Sequence, residues 1–257
     1  MHITSPQSSF GIAASLSCYR LGIPTVVSAH FGRRANPYAS LAIKLKSLLP
    51  VMLAKHCSAV SDDARFLVKK DSQIIRPPVD IALFKIQNKD HFSYRDSDSP
   101  FILYPARINP SKGQADLFSA AHSLKNRGLK FQAAIAGHAA DYSYLEKVKS
   151  MIGDYGLSDN VFVHEAIPYP DMPSAFASSD IIVFPTMEEF LGRIIIEASL
   201  CSVPNIAYAS GGVREIISHN EDRHLSSARK HWGIGCFNRN ALQFPRSCKI
   251  SRPKSKG

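Results

Sequence analysis

Residues 101–136 read FILYPARINPSKGQADLFSAAHSLKNRGLKFQAAIA, and this stretch decides the fold. Residues 101–104 (FILY) form a short apolar run of strand length closed by a proline, and residues 131–136 (FQAAIA) form another. Between them, QADLFSAAHSLKN spaces its apolar residues at helical intervals. A strand, a helix and a second strand in this order make a βαβ unit, which pairs its strands in parallel.

The alternation continues downstream. The amphipathic YSYLEKVKSMIGDYG precedes residues 161–164 (VFVH), and the helical DMPSAFASS precedes 180–184 (DIIVF). GRIIIEASLCS then precedes 204–208 (PNIAY), and GGVREIIS follows. Strand-helix repeats in series with short polar connections predict a doubly wound parallel α/β sheet. Upstream the pattern is weaker. SFGIAASLSCYRLG leads to residues 23–28 (IPTVVS), and LAIKLKSLLPVMLAKH leads to the strand-like 57–61 (CSAVS). IIRPPVDIALF then interrupts the alternation with two prolines, and NKDHFSYRDSDSP reads as a charged, turn-rich linker. The expected organisation is a partial first α/β domain over 1–97, a second over 98–222, and a basic tail over 223–257. No opening strand with a glycine-rich turn is found upstream.

The 257 residues suit about two domains, and 45% apolar content is ordinary for a globular chain. The net charge of +10 invites a nucleic-acid reading that its distribution removes. Residues 223–257 hold nine Lys plus Arg and no Asp or Glu, which leaves 22 basic against 21 acidic residues before them. No nucleic-acid partner is therefore expected, and the tail, lacking periodicity, reads as poorly ordered. Cysteines 18, 57, 201, 236 and 248 show no paired spacing, which disfavours a disulfide framework or a zinc site. A cytoplasmic location with reduced thiols is expected.

In open α/β sheets, ligands sit beyond the C-terminal strand ends, and anions sit at helix N-termini. Arg107 and Lys112 lie at such a strand end in PARINPSKG, where two cations suit a diphosphate. A solvated basic loop explains them as well. The loop after 180–184 holds Glu188, Glu189 and Gly192, and Glu197 follows about one and a half turns into the next helix. Glycine admits close backbone approach, and carboxylates accept hydrogen bonds from sugar hydroxyls. On spacing alone, a capped loop and an ion-paired helix residue are the plainer reading of these glutamates. Glu197 stands within an apolar run, so burying it requires a polar partner.

Taken together, these residues resemble a known family. Glu189 and Glu197 with seven residues between them, Arg107 and Lys112 upstream, and Ser210-Gly211-Gly212-Val213-Arg214-Glu215 downstream are similar to the donor-binding half of the family 4 retaining glycosyltransferases of the GT-B fold. Gly137, Pro185 and the PPVDIALF segment fall in register with it, and the likeness runs collinearly over residues ~20–220. It implies two Rossmann-like domains. It also implies metal-independent, cofactor-free transfer of a sugar from a UDP- or GDP-sugar to a saccharide or lipid-linked acceptor in polysaccharide, lipopolysaccharide or glycolipid synthesis.

By the same resemblance, Glu197 meets the nucleotide ribose, while His30 and Glu189 face the transferred sugar. Arg107, Lys112, Gly192 and Arg193 meet the diphosphate. Gly137, Glu188, Gly211 and Gly212 shape the donor loops, and Gly32 leaves room for the ligand. Peripheral contact with the inner face of the membrane is a further implication. The pattern departs from the family at Pro77-Pro78 and after Glu215-Ile216-Ile217, where HNEDRHLSSARKHWG does not match. A chain truncated at both ends with an aberrant tail is the expectation from these departures. Two alternatives keep the nucleotide-sugar ligand: a catalytically impaired binding fragment and a sugar-nucleotide epimerase. Asp96-Ser97-Asp98 resembles a metal-binding Asp-x-Asp but falls in a polar linker rather than at a strand end.

Overall fold

The computed structural model describes residues 1–32, 37–68, 72–85, 91–217 and 224–226. Two compact units result. One comprises Met1–Val79 with Thr186–Arg193 and Ala209–Ser218, and the other comprises Asp80–Pro185 with Ile194–Tyr208 and His219–Gly257.

The first unit holds a parallel sheet in the order β1-β2-β3-β4: β1 His2–Ile3, β2 Val26–Ala29, β3 His56–Ala59 and β4 Gln73–Ile74. β1, at two residues, is too short to show as a period-2 run. Helix α1, Ser9–Arg20, starts where the Ser8 side chain accepts the Gly11 N–H at 2.9 Å, and α2 spans Pro37–Leu53. A polar ladder ties three strands: His2 Nε2 lies 2.7 Å from Ser28 Oγ, which lies 2.6 Å from Ser58 Oγ. Ala29, Ala59, Val60, Ala64, Leu67 and Leu191 form a core cluster, against which Phe31, Phe66 and Ile216 pack. The two returning segments are thus built into this unit.

The second unit holds β5 Phe101–Pro105, β6 Gln132–Ala136, β7 Val161–His164, β8 Ile181–Phe184, β9 Asn205–Tyr208 and β10 His224–Ser226. Their order is β10-β9-β8-β5-β6-β7, and all pairs are parallel. β5 and β8 are buried along their whole length, as strands covered on both faces must be. The helices are α3 Gln114–Asn126, α4 Tyr142–Asp154, α5 Met172–Ala177 and α6 Arg193–Leu200. The chain runs from β5 outward through β6 and β7, then returns to β8 on the other side of β5. That reversal is a topological switch point. The expected helix at GGVREIIS is a 3-10 segment, Gly211–Glu215, and β10 adds a strand within the segment expected to lack order.

Residues 91–100, expected as a linker, are packed onto this unit. Phe92 is buried, with its ring centroid 4.9 Å from that of Phe101 and 5.4 Å from that of His164. Arg95 Nη2 donates to Asp180 Oδ2 at 2.7 Å, and the same oxygen accepts the Phe101 N–H at 2.9 Å. In PPVDIALF, Asp80 Oδ1 accepts the Leu83 N–H, and fully buried Phe84 packs against Tyr169 and Phe176. In this segment Asp80 is therefore a cap and Phe84 an anchor.

Candidate functional site

In the second unit, three strand-end loops are knitted together at the switch point. A Cβ on Gly137 would collide with the Ala106 carbonyl, and Ile108 N–H donates to the His138 carbonyl at 3.0 Å. A Cβ on Gly113, whose φ is +80°, would collide with the Pro185 carbonyl at the end of β8. Only glycine meets both demands at 113, so the turn after Lys112 is fixed by backbone sterics. The Tyr104 hydroxyl donates to the Lys112 carbonyl, and Gln114, fully buried at the start of α3, donates to the Arg107 carbonyl at 3.0 Å. Gln114 is a positioning residue the sequence reading missed, since a glutamine in an amphipathic helix gives no signal.

These contacts set out the two cations. Arg107 is exposed, and the Lys112 Nζ lies 5.6 Å from the Phe184 ring centroid in a cation–π geometry. Helix α3 begins two residues after Lys112, so its unbonded N–H groups and dipole point toward the same loop. Glu197, on α6, is 4% exposed. It adds to burial in pushing the neighbouring Cys201 thiol up to about 11, so that thiol is protonated at neutral pH.

In the first unit the loop ahead of α6 is closed by its own glutamate. Glu189 Oε1 accepts the Gly192 N–H at 3.1 Å, and Gly192 takes a φ of +82°. The Gly212 N–H donates to the Glu189 carbonyl at 3.1 Å, and Ser210 Oγ donates to the Thr186 carbonyl at 2.8 Å. Cβ atoms at Gly211 and Gly212 would collide with the Glu189 and Phe190 carbonyls respectively. These two glycines therefore let two backbone segments touch. Glu188 is half-buried in the same loop, and Arg193 is exposed.

His30 follows β2 in this unit. Burial, with His2 nearby, holds its imidazole below the ordinary value, so it is neutral at pH 7. The room expected beside it at Gly32 is filled: a Cβ there would collide with the Asp63 carboxylate and come within 3.1 Å of the Phe190 ring. Phe31 and Phe190 pack edge to face at 5.6 Å. Glycine at 32 thus accommodates Asp63, which corrects the expectation of ligand space.

Asp96-Ser97-Asp98 forms a turn, with Asp96 Oδ1 accepting the Asp98 N–H at 3.0 Å and Oδ2 accepting Ser99 Oγ at 2.7 Å. Those bonds hold the Asp96 carboxyl below its usual range. Among the described residues no three His, Cys, Asp or Glu side chains are grouped to hold a metal ion, and no helix is long and apolar enough to cross a membrane.

A doubly wound sheet with cations and a helix N-terminus at its switch point defines the open α/β class, in which ligands bind beyond the strand ends. The chain belongs to the group 1 glycosyl transferases, whose family model it matches over residues 86–231. It is 32% identical over 131 residues to the GDP-mannose-dependent alpha-(1-6)-phosphatidylinositol monomannoside mannosyltransferase of Mycolicibacterium smegmatis, covering 48% of this chain and 34% of that protein. It is 26% identical over 219 residues to the alpha-D-kanosaminyltransferase of Streptomyces kanamyceticus, covering 77% of this chain and 55% of that one. The chain thus spans between a third and just over half of these relatives' lengths. Among solved structures, Anabaena Alr3699/HepE in complex with UDP-glucose matches with a TM-score of 0.75 at 20% identity, over 87% of this chain and 64% of that one. Sucrose-phosphate synthase from Thermosynechococcus elongatus matches with a TM-score of 0.70 at 19% identity, over 85% and 59%. These likenesses show the fold, Rossmann-like units of the GT-B class.

Proposed function

We propose that this chain carries the donor site of a glycosyltransferase that moves a sugar from a nucleotide diphosphate sugar to a saccharide or lipid-linked acceptor. Residues 1–97 belong to the acceptor-side domain and 98–222 to the donor-side domain. In this reading Arg107, Lys112, Arg193 and the backbone N–H groups after Gly192 neutralise the diphosphate, Glu197 accepts from the ribose hydroxyls, and Glu189 and neutral His30 orient the sugar. Gly137, Glu188, Gly211 and Gly212 shape the loops around it. The observation that carries the reading is the switch-point loop, where sterics at Gly113 and Gly137 fix the backbone under Arg107 and Lys112. Leaving-group charge is stabilised there by fixed cations and a helix terminus.

Transfer proceeds with retention, without a metal ion, in polysaccharide, lipopolysaccharide or glycolipid synthesis. Relatives named for GDP-mannose and a neighbour holding UDP-glucose make both donors the probes of choice. The test is to follow the product anomer by NMR from each donor, with and without EDTA. Retained configuration unaffected by EDTA supports the reading; an inverted product, or transfer abolished by EDTA, overturns it.

Peripheral contact with the cytoplasmic membrane face is part of the same proposal. Tyr38, Leu41, Leu45, Leu48 and Met52 recur at helical spacing on α2, and all are exposed. Residues 1–61 hold six Lys plus Arg and no Asp or Glu, whereas residues 62–222 hold 16 against 21. An apolar stripe in an all-cationic segment suits anionic lipid. Co-sedimentation with phosphatidylglycerol vesicles but not phosphatidylcholine vesicles, lost in Leu45→Asp, is the expected result. Equal sedimentation with both would remove it.

A further inference from the structure

The Ser210–Glu215 motif ends on a carboxylate to which the donor reading gives no role. Glu215 Oε1 accepts the Asp62 N–H at 2.8 Å and the Asp63 N–H at 3.4 Å, 153 and 152 residues away in sequence. Its Oε2 accepts Arg76 Nη2 at 2.9 Å, and the Glu215 side chain is 17% exposed. The bonds fall at the start of the 3-10 segment Ala64–Leu67, whose first N–H groups have no partner within the segment.

These bonds fix the backbone from which the Asp63 side chain projects. Its carboxylate occupies the space that a Cβ on Gly32 would need, and lies 3.6 Å from where a Cβ on Gly211 would stand. Gly32 is two residues from His30. Gly211 stands against the Glu189 carbonyl, and the Phe31–Phe190 ring pair joins the same two loops. A continuous path therefore runs from Arg76 through Glu215 and Asp63 to the loops bearing His30 and Glu189.

We infer that Glu215 is a positioning residue that, through Asp63, sets the His30 loop against the Glu189 loop and so determines how well the transferred sugar is held. This rests on the donor reading above. It assigns Glu215 no contact with substrate. Glu215→Ala removes the acceptor for two N–H groups and for Arg76, whereas Glu215→Gln keeps an amide oxygen for the N–H groups. Of the residues assigned to the diphosphate, Arg107 and Lys112 are untouched by either change, while Gly192 and Arg193 follow the Glu189 loop.

The test has two arms on the whole chain. In the first, without ligand, amide hydrogen exchange at Asp62 and Asp63 is expected to accelerate by roughly tenfold or more in Glu215→Ala and to stay near the parental rate in Glu215→Gln. In the second, calorimetry compares UDP with UDP-glucose and GDP with GDP-mannose. Glu215→Ala is expected to lose a few-fold at most in affinity for the free diphosphates, through Gly192 and Arg193, but to lose roughly tenfold of the added affinity due to the sugar, with Glu215→Gln restoring it. Unchanged exchange in Glu215→Ala overturns the latch. Equal losses for diphosphate and nucleotide sugar overturn the positioning role, because a merely structural defect weakens both. A parent that binds no nucleotide sinks the donor reading and the positioning role with it, while the exchange arm still reports on the latch.

Discussion

Gly211→Ala separates backbone sterics from chemistry at the loop bearing Glu189. Gly211 takes a φ of +47°, and an alanine there costs about 1–2 kcal/mol for the left-handed conformation alone. Its methyl would also collide with the Glu189 carbonyl, and overpacking of this kind costs typically 1–3 kcal/mol. The unit must either bear both costs or move Glu189 away by on the order of 1 Å. In the first case a total of about 2–5 kcal/mol lowers Tm by roughly 8 °C or more for a unit of about 100 residues. In the second, stability is largely retained, but a misplacement of that size lowers transfer by about 10²-fold. Gly22→Ala is the control in the same unit, since Gly22 has a φ of +68° with nothing within 4 Å of its Cβ position. The assay pairs thermal denaturation with donor turnover for parent, Gly22→Ala and Gly211→Ala. Gly211→Ala matching Gly22→Ala in both Tm and turnover would refute the claim that Gly211 seats the Glu189 loop.

Lys112→Ala is expected to weaken nucleoside diphosphate binding by roughly 1.5–3 kcal/mol while leaving nucleoside binding alone; equal losses in calorimetry would make Lys112 structural. Asp180→Ala strips a shared acceptor from Arg95 and from the first N–H of β5, and lowers stability by about 2 kcal/mol in urea unfolding, with the partial exposure of both side chains holding the figure down. His30 and His91 are both held below the ordinary 6.5 by burial first, then by His2 and by His164 respectively, with Asp171 opposing at His91. The unfolded chain therefore binds more protons below pH 6.5, so their contribution is fully present above that value and falls as pH drops through it. Tm is accordingly expected to decline between pH 7.5 and pH 5, and less so in His91→Asn. Cys201, with its thiol at about 11, is expected to resist iodoacetamide at pH 8 until the chain is unfolded.

The second unit was legible because its strands are short buried runs separated by helices of clear period, from FILY at 101–104 to NIAY at 205–208. β1 and β10 escaped because two and three residues carry no period. The strap at 91–100 escaped for another reason. Its charges looked like a solvated linker, yet Arg95 is matched to Asp180 and Phe92 is inserted among Phe101, Tyr94 and His164, partners that only the folded chain brings near. Sequence alone suggests ligand space at Gly32 and donor loops at Gly137, Gly211 and Gly212, and says nothing of what packs against them. Gly137, Gly211 and Gly212 are explained by carbonyls that would strike a Cβ, and Gly32 by Asp63. Glu215 stood in a quoted motif, but its partners lie more than a hundred residues upstream, beyond any local pattern.

The central claim, that Lys112 and Glu197 bind one nucleotide diphosphate, is tested most directly by calorimetric titration of UDP and GDP, with uridine and guanosine alongside, into the parent, Lys112→Ala and Glu197→Ala. Saturable binding of one diphosphate by the parent is predicted. Lys112→Ala should keep the nucleoside and lose the diphosphate increment, and Glu197→Ala should lose roughly 1–3 kcal/mol with nucleoside and diphosphate alike. Binding unchanged in Glu197→Ala, or no binding of any of the four ligands by a folded parent, would contradict it.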